Sequence, residues 1–188
     1  VLKVQSANVT LQSTEKTGGI NGGEGGNNIA VWASKDANVT INSGTYTVGG
    51  DADGDANSTV YVTNNGNVTI NGGTFSSEKP YKQNGKYYVL NLQNDSTGSI
   101  SIKGGSFENF DPIKGDDNLG GNFVAQSAGV DCATSGDSKI YTVKADQPVQ
   151  IVDEDGNSVK SYAKSSFSRA FNEIKSGQKI ILSGDVSP

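Results

Sequence analysis

Asp51, Asp53 and Asp55 alternate along the run Asp51-Ala52-Asp53-Gly54-Asp55. Carboxylates at such spacing are the oxygen donors that a hard cation such as Ca2+ takes. The run departs from the EF-hand loop, because Gly54 precedes the third aspartate and the twelfth position is Val62. The competing reading is a solvated acidic loop that binds nothing, and Asp116-Asp117 and Asp153-Glu154-Asp155 are read the same way. A structural Ca2+ at Asp51, Asp53 and Asp55 is thus the one cofactor the residues suggest.

A second chemistry is stacking of sugar rings on aromatic faces, for which Trp32, Tyr81, Tyr87 and Tyr88 are the candidates. Tyr81, Tyr87 and Tyr88 lie in or beside a long loop, where ligand contacts concentrate. Trp32, like Tyr61, falls in a strand-like segment, and an interior or edge position explains it equally well. Acid–base chemistry is poorly served. The chain has no His, the commonest general base. Its single Arg, Arg169, sits in a helical pattern, whereas a lyase base on a sheet scaffold should project from a strand. Glycoside hydrolysis needs paired carboxylates on one face, and the strands described below carry almost none. No catalytic residue is assigned.

These residues are carried by a repeat. Asn38-Val39-Thr40-Ile41-Asn42-Ser43-Gly44-Thr45-Tyr46 returns as Asn67-Val68-Thr69-Ile70-Asn71-Gly72-Gly73-Thr74-Phe75. It returns with drift as Ser99-Ile100-Ser101-Ile102-Lys103-Gly104-Gly105-Ser106-Phe107, and a degenerate copy stands at Asn8-Val9-Thr10-Leu11-Gln12-Ser13. Taking Val9, Val39, Val68 and Ile100 as equivalent gives spacings of 30, 29 and 32 residues. A second strand precedes the later copies, at 29–33, 59–62 and 88–92.

Alternation puts Val39 and Ile41 on one face and Thr40 on the other. A lone strand of this kind cannot bury its apolar face. Stacking equivalent strands about 4.8 Å apart would do so, in parallel sheets laddered through Val39/Val68/Ile100, Ile41/Ile70/Ile102 and Tyr46/Phe75/Phe107. Gly44, Gly72-Gly73 and Gly104-Gly105 suit corners, and Asn42 and Asn71 would bond along the stack. An antiparallel sandwich or barrel also uses short strands and Gly turns, but near-identical phrases at a nearly fixed spacing favour the solenoid. Asn-x-Ser/Thr triplets at Asn8, Asn38, Asn57, Asn67 and Asn94 would be glycosylation acceptors in a eukaryotic secreted protein. At Asn38 and Asn67 a structural role at the strand start is the simpler explanation.

Composition agrees. Hydrophobic residues make up 33% of the 188, little for a two-layer domain but enough for thin stacked rungs. The net charge of −5, with basic residues nearly all Lys and no basic patch with interleaved aromatics, argues against nucleic acid. Cys132 stands alone, so no internal disulfide forms. No apolar run reaches membrane-spanning length. The chain opens on strand-like Val1-Leu2-Lys3-Val4 without a charged-then-apolar leader, which suggests a boundary inside a longer protein.

Rungs of about 30 residues should bulge as lateral loops at 17–28, 49–57, 76–86 and 109–122. The stretch 136–143 reads as a strand closing the array. Asp155-Gly156 marks a hairpin between 149–152 and 159–162. Phe167, Ala170, Phe171 and Ile174 give a helix with Ser165 or Ser166 as N-cap and Gly177 as its C′ residue, followed by a strand at 179–182. The expected organisation is an array over 1–144 and a hairpin, helix and strand over 145–188 that caps it or opens a further array.

On the phrases at 38–46, 67–75 and 101–107, and on the helix-then-strand tail at 166–186, the chain resembles the pectin-lyase-like β-helix repeats of bacterial cell-surface proteins. The resemblance spans most of the chain and implies a right-handed parallel β-helix, all-β apart from the short C-terminal helix. It implies a secreted or surface-attached protein, a non-catalytic stalk or adhesion module, with a host or bacterial surface glycan or protein as partner. The polysaccharide lyases and hydrolases of that fold are the alternative, but their motifs are not matched. A phage fibre segment is a third reading.

Overall fold

The computed structural model describes residues 1–15, 18–24, 28–49, 57–78, 82–83, 86–114, 121–145 and 149–182. The chain is all-β apart from one helix among the described residues, and its main sheets are parallel. Each repeat supplies three strands. The first gives β1 (Leu2–Gln5), β2 (Asn8–Leu11) and β3 (Gly19–Asn21). The second gives β4 (Ile29–Ser34), β5 (Asn38–Ile41) and β6 (Thr45–Val48). The third gives β7 (Ser58–Val62), β8 (Asn67–Ile70) and β9 (Thr74–Ser77), followed by a short antiparallel pair, β10 (Lys82–Gln83) and β11 (Lys86–Tyr87). The fourth gives β12 (Leu90–Leu92), β13 (Ser99–Ile102) and β14 (Gly105–Glu108).

Like strands pair with like. The first sheet runs β1-β4-β7-β12, the second β2-β5-β8-β13, and the third contains β3-β6-β9-β14, all parallel. The register matches the expected equivalence, with Val9, Val39, Val68 and Ile100 side by side. Leu11, Ile41, Ile70 and Ile102 form the next row. These rows are buried from the second repeat onward and only half-buried in β2, which lies at the sheet edge.

In the third sheet Tyr46, Phe75 and Phe107 stack at centroid distances of 5.1 and 5.0 Å with interplanar angles of 11° and 10°. Each ring gains about 1.5–3 kcal/mol from burial and about 0.5–1.5 kcal/mol from ring contact. The corner before this stack is tight. Gly44 and Gly73 have φ of +113° and +108°, and a Cβ on Gly73 would sit 2.9 Å from the Gly44 carbonyl oxygen of the rung below. Polar ladders flank the apolar ones. Asn71 Nδ2 donates to Asn42 Oδ1 at 2.9 Å, and Asn38 Nδ2 donates to Asn8 Oδ1 at 3.0 Å. Asn67 and Ser99 continue the latter row.

Several segments expected as loops hold structure. In the later repeats the aromatic after the Gly corner lies within a third strand, where an aromatic followed directly by a loop was expected. In the first repeat Ile20 of β3 takes the aromatic's place beside Tyr46, inside the stretch expected to be a lateral loop. The segment after Asn109 is also more than a lateral loop, because Phe110, Asp111 and Ile113 are buried.

The C-terminal segments cover the far end of the array. β15 (Gly129–Ser135) and β16 (Ser138–Lys144) form a hairpin, and β16, over the stretch expected as a closing strand, pairs antiparallel with β14. Val124 bridges Ile102 at the edge of the second sheet. β17 (Val149–Val152) lies between β18 (Ser158–Tyr162) and β19 (Lys179–Leu182), antiparallel to both. A 3-10 turn (Lys164–Ser166) leads into α1 (Phe167–Glu173). One apolar cluster runs from Val4 to Ala170, so array and C-terminal segments share a core.

The helix differs from expectation on one face. Ala170 is buried and Phe167 and Ile174 pack against the core, but Phe171 is 66% exposed. Phe171 lies about 100° round the helix from the buried Ala170, outside the face by which α1 packs on the core. Ser166 is its N-cap without a capping bond; its hydroxyl donates instead to Asp131 Oδ1 at 3.0 Å. Gly177 lies further on, in the turn to β19, with φ +81°.

Removing the middle ring of the stack tests this core. Phe75→Ala should cost about 3–5 kcal/mol in urea unfolding, whereas Thr40→Val on the outer face should stay within about 0.5 kcal/mol.

Candidate functional site

The densest group of titratable side chains among the described residues lies where α1 meets the array. Arg169 Nη2 donates to Asp111 Oδ2, and Arg169 Nε donates to Glu173 Oε1 at 2.8 Å. Lys160 Nζ and the Tyr162 hydroxyl both donate to Glu173 Oε2, at 2.6 and 3.1 Å. The guanidinium carbon lies 5.7 Å from the Tyr141 ring centroid and 5.8 Å from that of Tyr162. Four elements thus converge: the turn at Asp111, β16, β18 and α1.

Their electrostatics bind the groups to one another. Burial alone would raise the Glu173 carboxyl, but the bonds from Arg169 and Lys160 outweigh it and hold its pKa at about 2. Burial, reinforced by the Asp111 charge, pushes the Tyr141 phenol up to about 12. Burial and the Glu173 carboxylate push Tyr162 up as well. A general acid or base must exchange a proton near working pH. Glu173 is held ionised and the two phenols neutral, and Arg169, the only arginine, is bound between two carboxylates. The arrangement is a clamp.

The aromatic candidates are scattered. Trp32 stands half-buried on the outer face of the first sheet, in a row Lys3–Trp32–Tyr61–Asn91. Lys3 Nζ sits 3.7 Å over the indole on one side, and Tyr61 leans against the other at 5.7 Å and 43°. Trp32 Nε1 donates to Thr63 Oγ1 at 3.0 Å. A sugar would have to displace Lys3 to reach an indole face. Tyr88 corrects the loop expectation: it is fully buried, and its neighbour Val89 accepts from the amides of Thr59 and Val60 at 2.8 and 3.3 Å. Its ring is therefore core and cannot meet a ligand. Tyr81, the side chain of Tyr87, and Asp51, Asp53 and Asp55 lie outside the described residues. Among the described residues no group of three or more His, Cys, Asp or Glu could hold a metal.

The Asn-x-Ser/Thr positions follow the stacking. Asn38 and Asn67 are rungs of the amide ladder. Asn57 is buried and accepts from the Asn28 amide at 2.8 Å, while Asn94 is exposed in a turn.

Two hollows remain. One, of about 450 Å³, lies at the first repeat between Leu11, Ile20 and Tyr46. The other, of about 480 Å³, runs along the corner between the second and third sheets over Gly44, Gly73 and Gly105. They meet at Ser13-Thr14-Glu15. Residue reasoning missed both this groove and the clamp. The groove's signal was present in the Gly-Thr/Ser-aromatic phrase at 44–46, 73–75 and 105–107. Nothing in the sequence paired Asp111 with Arg169, which are 58 residues apart.

Comparison of the chain with protein-family models, with curated proteins and with solved structures finds no match. Among the described residues no helix is long and apolar enough to cross a membrane.

The clamp yields two expected outcomes. Arg169→Ala leaves Asp111, 4% exposed, with only the more distant Lys114 ammonium at 3.9 Å and should cost about 3–5 kcal/mol. Because the folded pKa of Glu173 is depressed, its contribution is complete above the ordinary value of 4.5 and disappears as pH falls toward about 2. Urea midpoints at pH 7 and pH 3 should fall less for Glu173→Gln than for the parent chain; equal falls would contradict the clamp.

Proposed function

We propose that the three parallel sheets close into a right-handed parallel β-helix, and that the chain is a non-catalytic module of a larger extracellular or surface-attached protein. In this reading it is a rigid stalk that presents its lateral surface to a host or bacterial surface glycan or protein. The observation that carries the reading is the in-register ladder through four repeats in all three sheets, with apolar rows such as Val9/Val39/Val68/Ile100 stacked on one face. Such a stack makes a long, stiff surface from short thin rungs. The titratable cluster supports the non-catalytic part, since its charges are engaged in holding α1 to the array. The outer rows, largely Thr, Asn and Ser, suit contact with a polar surface rather than an apolar partner.

The test is turnover against retention. The chain is incubated with neutral and acidic polysaccharides, and reducing ends and unsaturated products are measured, while the same set is immobilised to assay binding. Retention on at least one glycan with no product is expected. Turnover of any polysaccharide would mean that the chain is an enzyme.

A further inference from the structure

We infer that the open end of the array, at β1, β2 and β3, is an interface for a second copy of this chain, joined across a two-fold axis at Thr10 with β2 antiparallel to its own copy.

The two ends of the array are built differently. At the far end β16 lies on β14, Val124 bridges Ile102, and Phe110, Ile113 and Phe123 fill the core. At the near end β1, β2 and β3 are each the last strand of their sheet. Leu2, Val9, Leu11 and Ile20 are only half-buried there, whereas their partners Val31, Val39, Ile41 and Tyr46 are 0–2% exposed. The hollow of about 450 Å³ opens beside Leu11 and Ile20. Main-chain groups face outward as well. The amides of Asn38 and Asn42 donate to the carbonyls of Ala7 and Leu11, both at 2.9 Å. Alternate residues of a parallel strand bond to one side, so the N–H and C=O groups of Asn8, Thr10 and Gln12 turn to the open edge. Such edges are blunted by Pro, Lys or an inward charge. Strands β2 and β3 carry none of these.

A second copy fits this end for three reasons. The first is topological: β16 and Val124 occupy the far edges of the third and second sheets, which blocks head-to-tail stacking, so a near end meets a near end. Like ends join about a two-fold axis, which makes β2 antiparallel to its copy. The second is register. With Thr10 on the axis, Val9 faces Leu11 of the copy on the inside, and Thr10–Thr10 and Asn8–Gln12 become the hydrogen-bonded pairs. Inward side chains and open main-chain groups are thus matched together. Asn8 Oδ1 accepts from Asn38, its Nδ2 has no partner among the described residues, and the pairing sets it beside Gln12 of the copy. The chain already closes its other end in this way, with β16 antiparallel on β14 and Tyr141 opposite Phe107. The third is charge. The whole chain carries −5, but residues 1–24 hold Lys3 and Lys16 against Glu15 and Glu24, so like ends do not repel. Where the three sheets close as proposed above, the same axis brings β1 to the copy's β3; this second pairing alone rests on that reading.

Sedimentation equilibrium of the chain from micromolar to millimolar concentration should show a reversible species of twice the 19.5 kDa chain mass. In a Cys132→Ser background, Thr10→Cys should oxidise to a covalent dimer across the axis, while Thr69→Cys, at the centre of the second sheet, should stay monomeric. Thr10→Pro removes only an N–H that faces the open edge, and should weaken association about tenfold or more with an unchanged urea midpoint in dilute solution. Val9→Lys, an inward charge at the edge, should do the same without touching the main chain. A monomer at every concentration would overturn the pairing, and would leave the open end to a further rung of the same chain or to a different protein. Dimers undiminished in both variants, or equal cross-linking at Thr10 and Thr69, would overturn it too. Hydrogen exchange separates the two readings. Protection that grows with concentration at Thr10 alone supports the β2 pairing without the closed arrangement, and protection at Lys3, Thr10 and Asn21 together supports both.

Discussion

Everything in this molecule depends on equivalent residues of successive repeats lying side by side in parallel register. A strand such as Asn38–Ile41 has two apolar side chains on one face and polar ones on the other, and it has nothing to bury them against within its own repeat. Only neighbours with the same pattern in the same register produce a continuous apolar row. A slip of one residue would turn Val39 and Ile41 outward and Thr40 inward. The constraint acts three times per repeat, because each rung adds a strand to each of three sheets.

Register also makes the polar residues structural. Asn38 bonds to Asn8, and Asn71 to Asn42, because both members of each pair occupy the same place in their repeats. The corner glycines obey the same logic. The Gly44 carbonyl lies so close to the position above that only a residue without Cβ can stand there.

A stack of this kind has ends, and its far end is covered differently from its sides. There the pairing changes from parallel to antiparallel at β14 and β16, and Phe110, Ile113 and Phe123 fill the end of the core. Arg169 then ties α1 to Asp111 on that covering segment. The cluster joins parts of the chain that the repeat itself does not hold together. Its burial raises the Tyr141 and Tyr162 phenols, while the bonds from Arg169 and Lys160 outweigh burial and depress the Glu173 carboxyl.

Much of this was legible in the residues, and the omissions have physical reasons. The phrase around Val39, Val68 and Ile100 carries its register because identical positions recur at nearly constant spacing. Ile20 escaped notice because one apolar residue among glycines and polar residues has no periodicity, and its strand exists only because Tyr46 lies beside it. Tyr88, at the start of a strand beside a long loop, reads equally as loop margin or interior, and only the fold shows that it is fully buried. The clamp is tertiary throughout, joining residues that no local pattern connects.

Oxidative cross-linking tests the register most directly. In a Cys132→Ser background, the pair Thr40→Cys and Thr69→Cys should form an intramolecular disulfide, since these positions are partners on the outer face. The pair Thr40→Cys and Ile70→Cys points to opposite faces and should stay reduced. A disulfide in the second pair and none in the first would contradict the stacking on which the whole account rests.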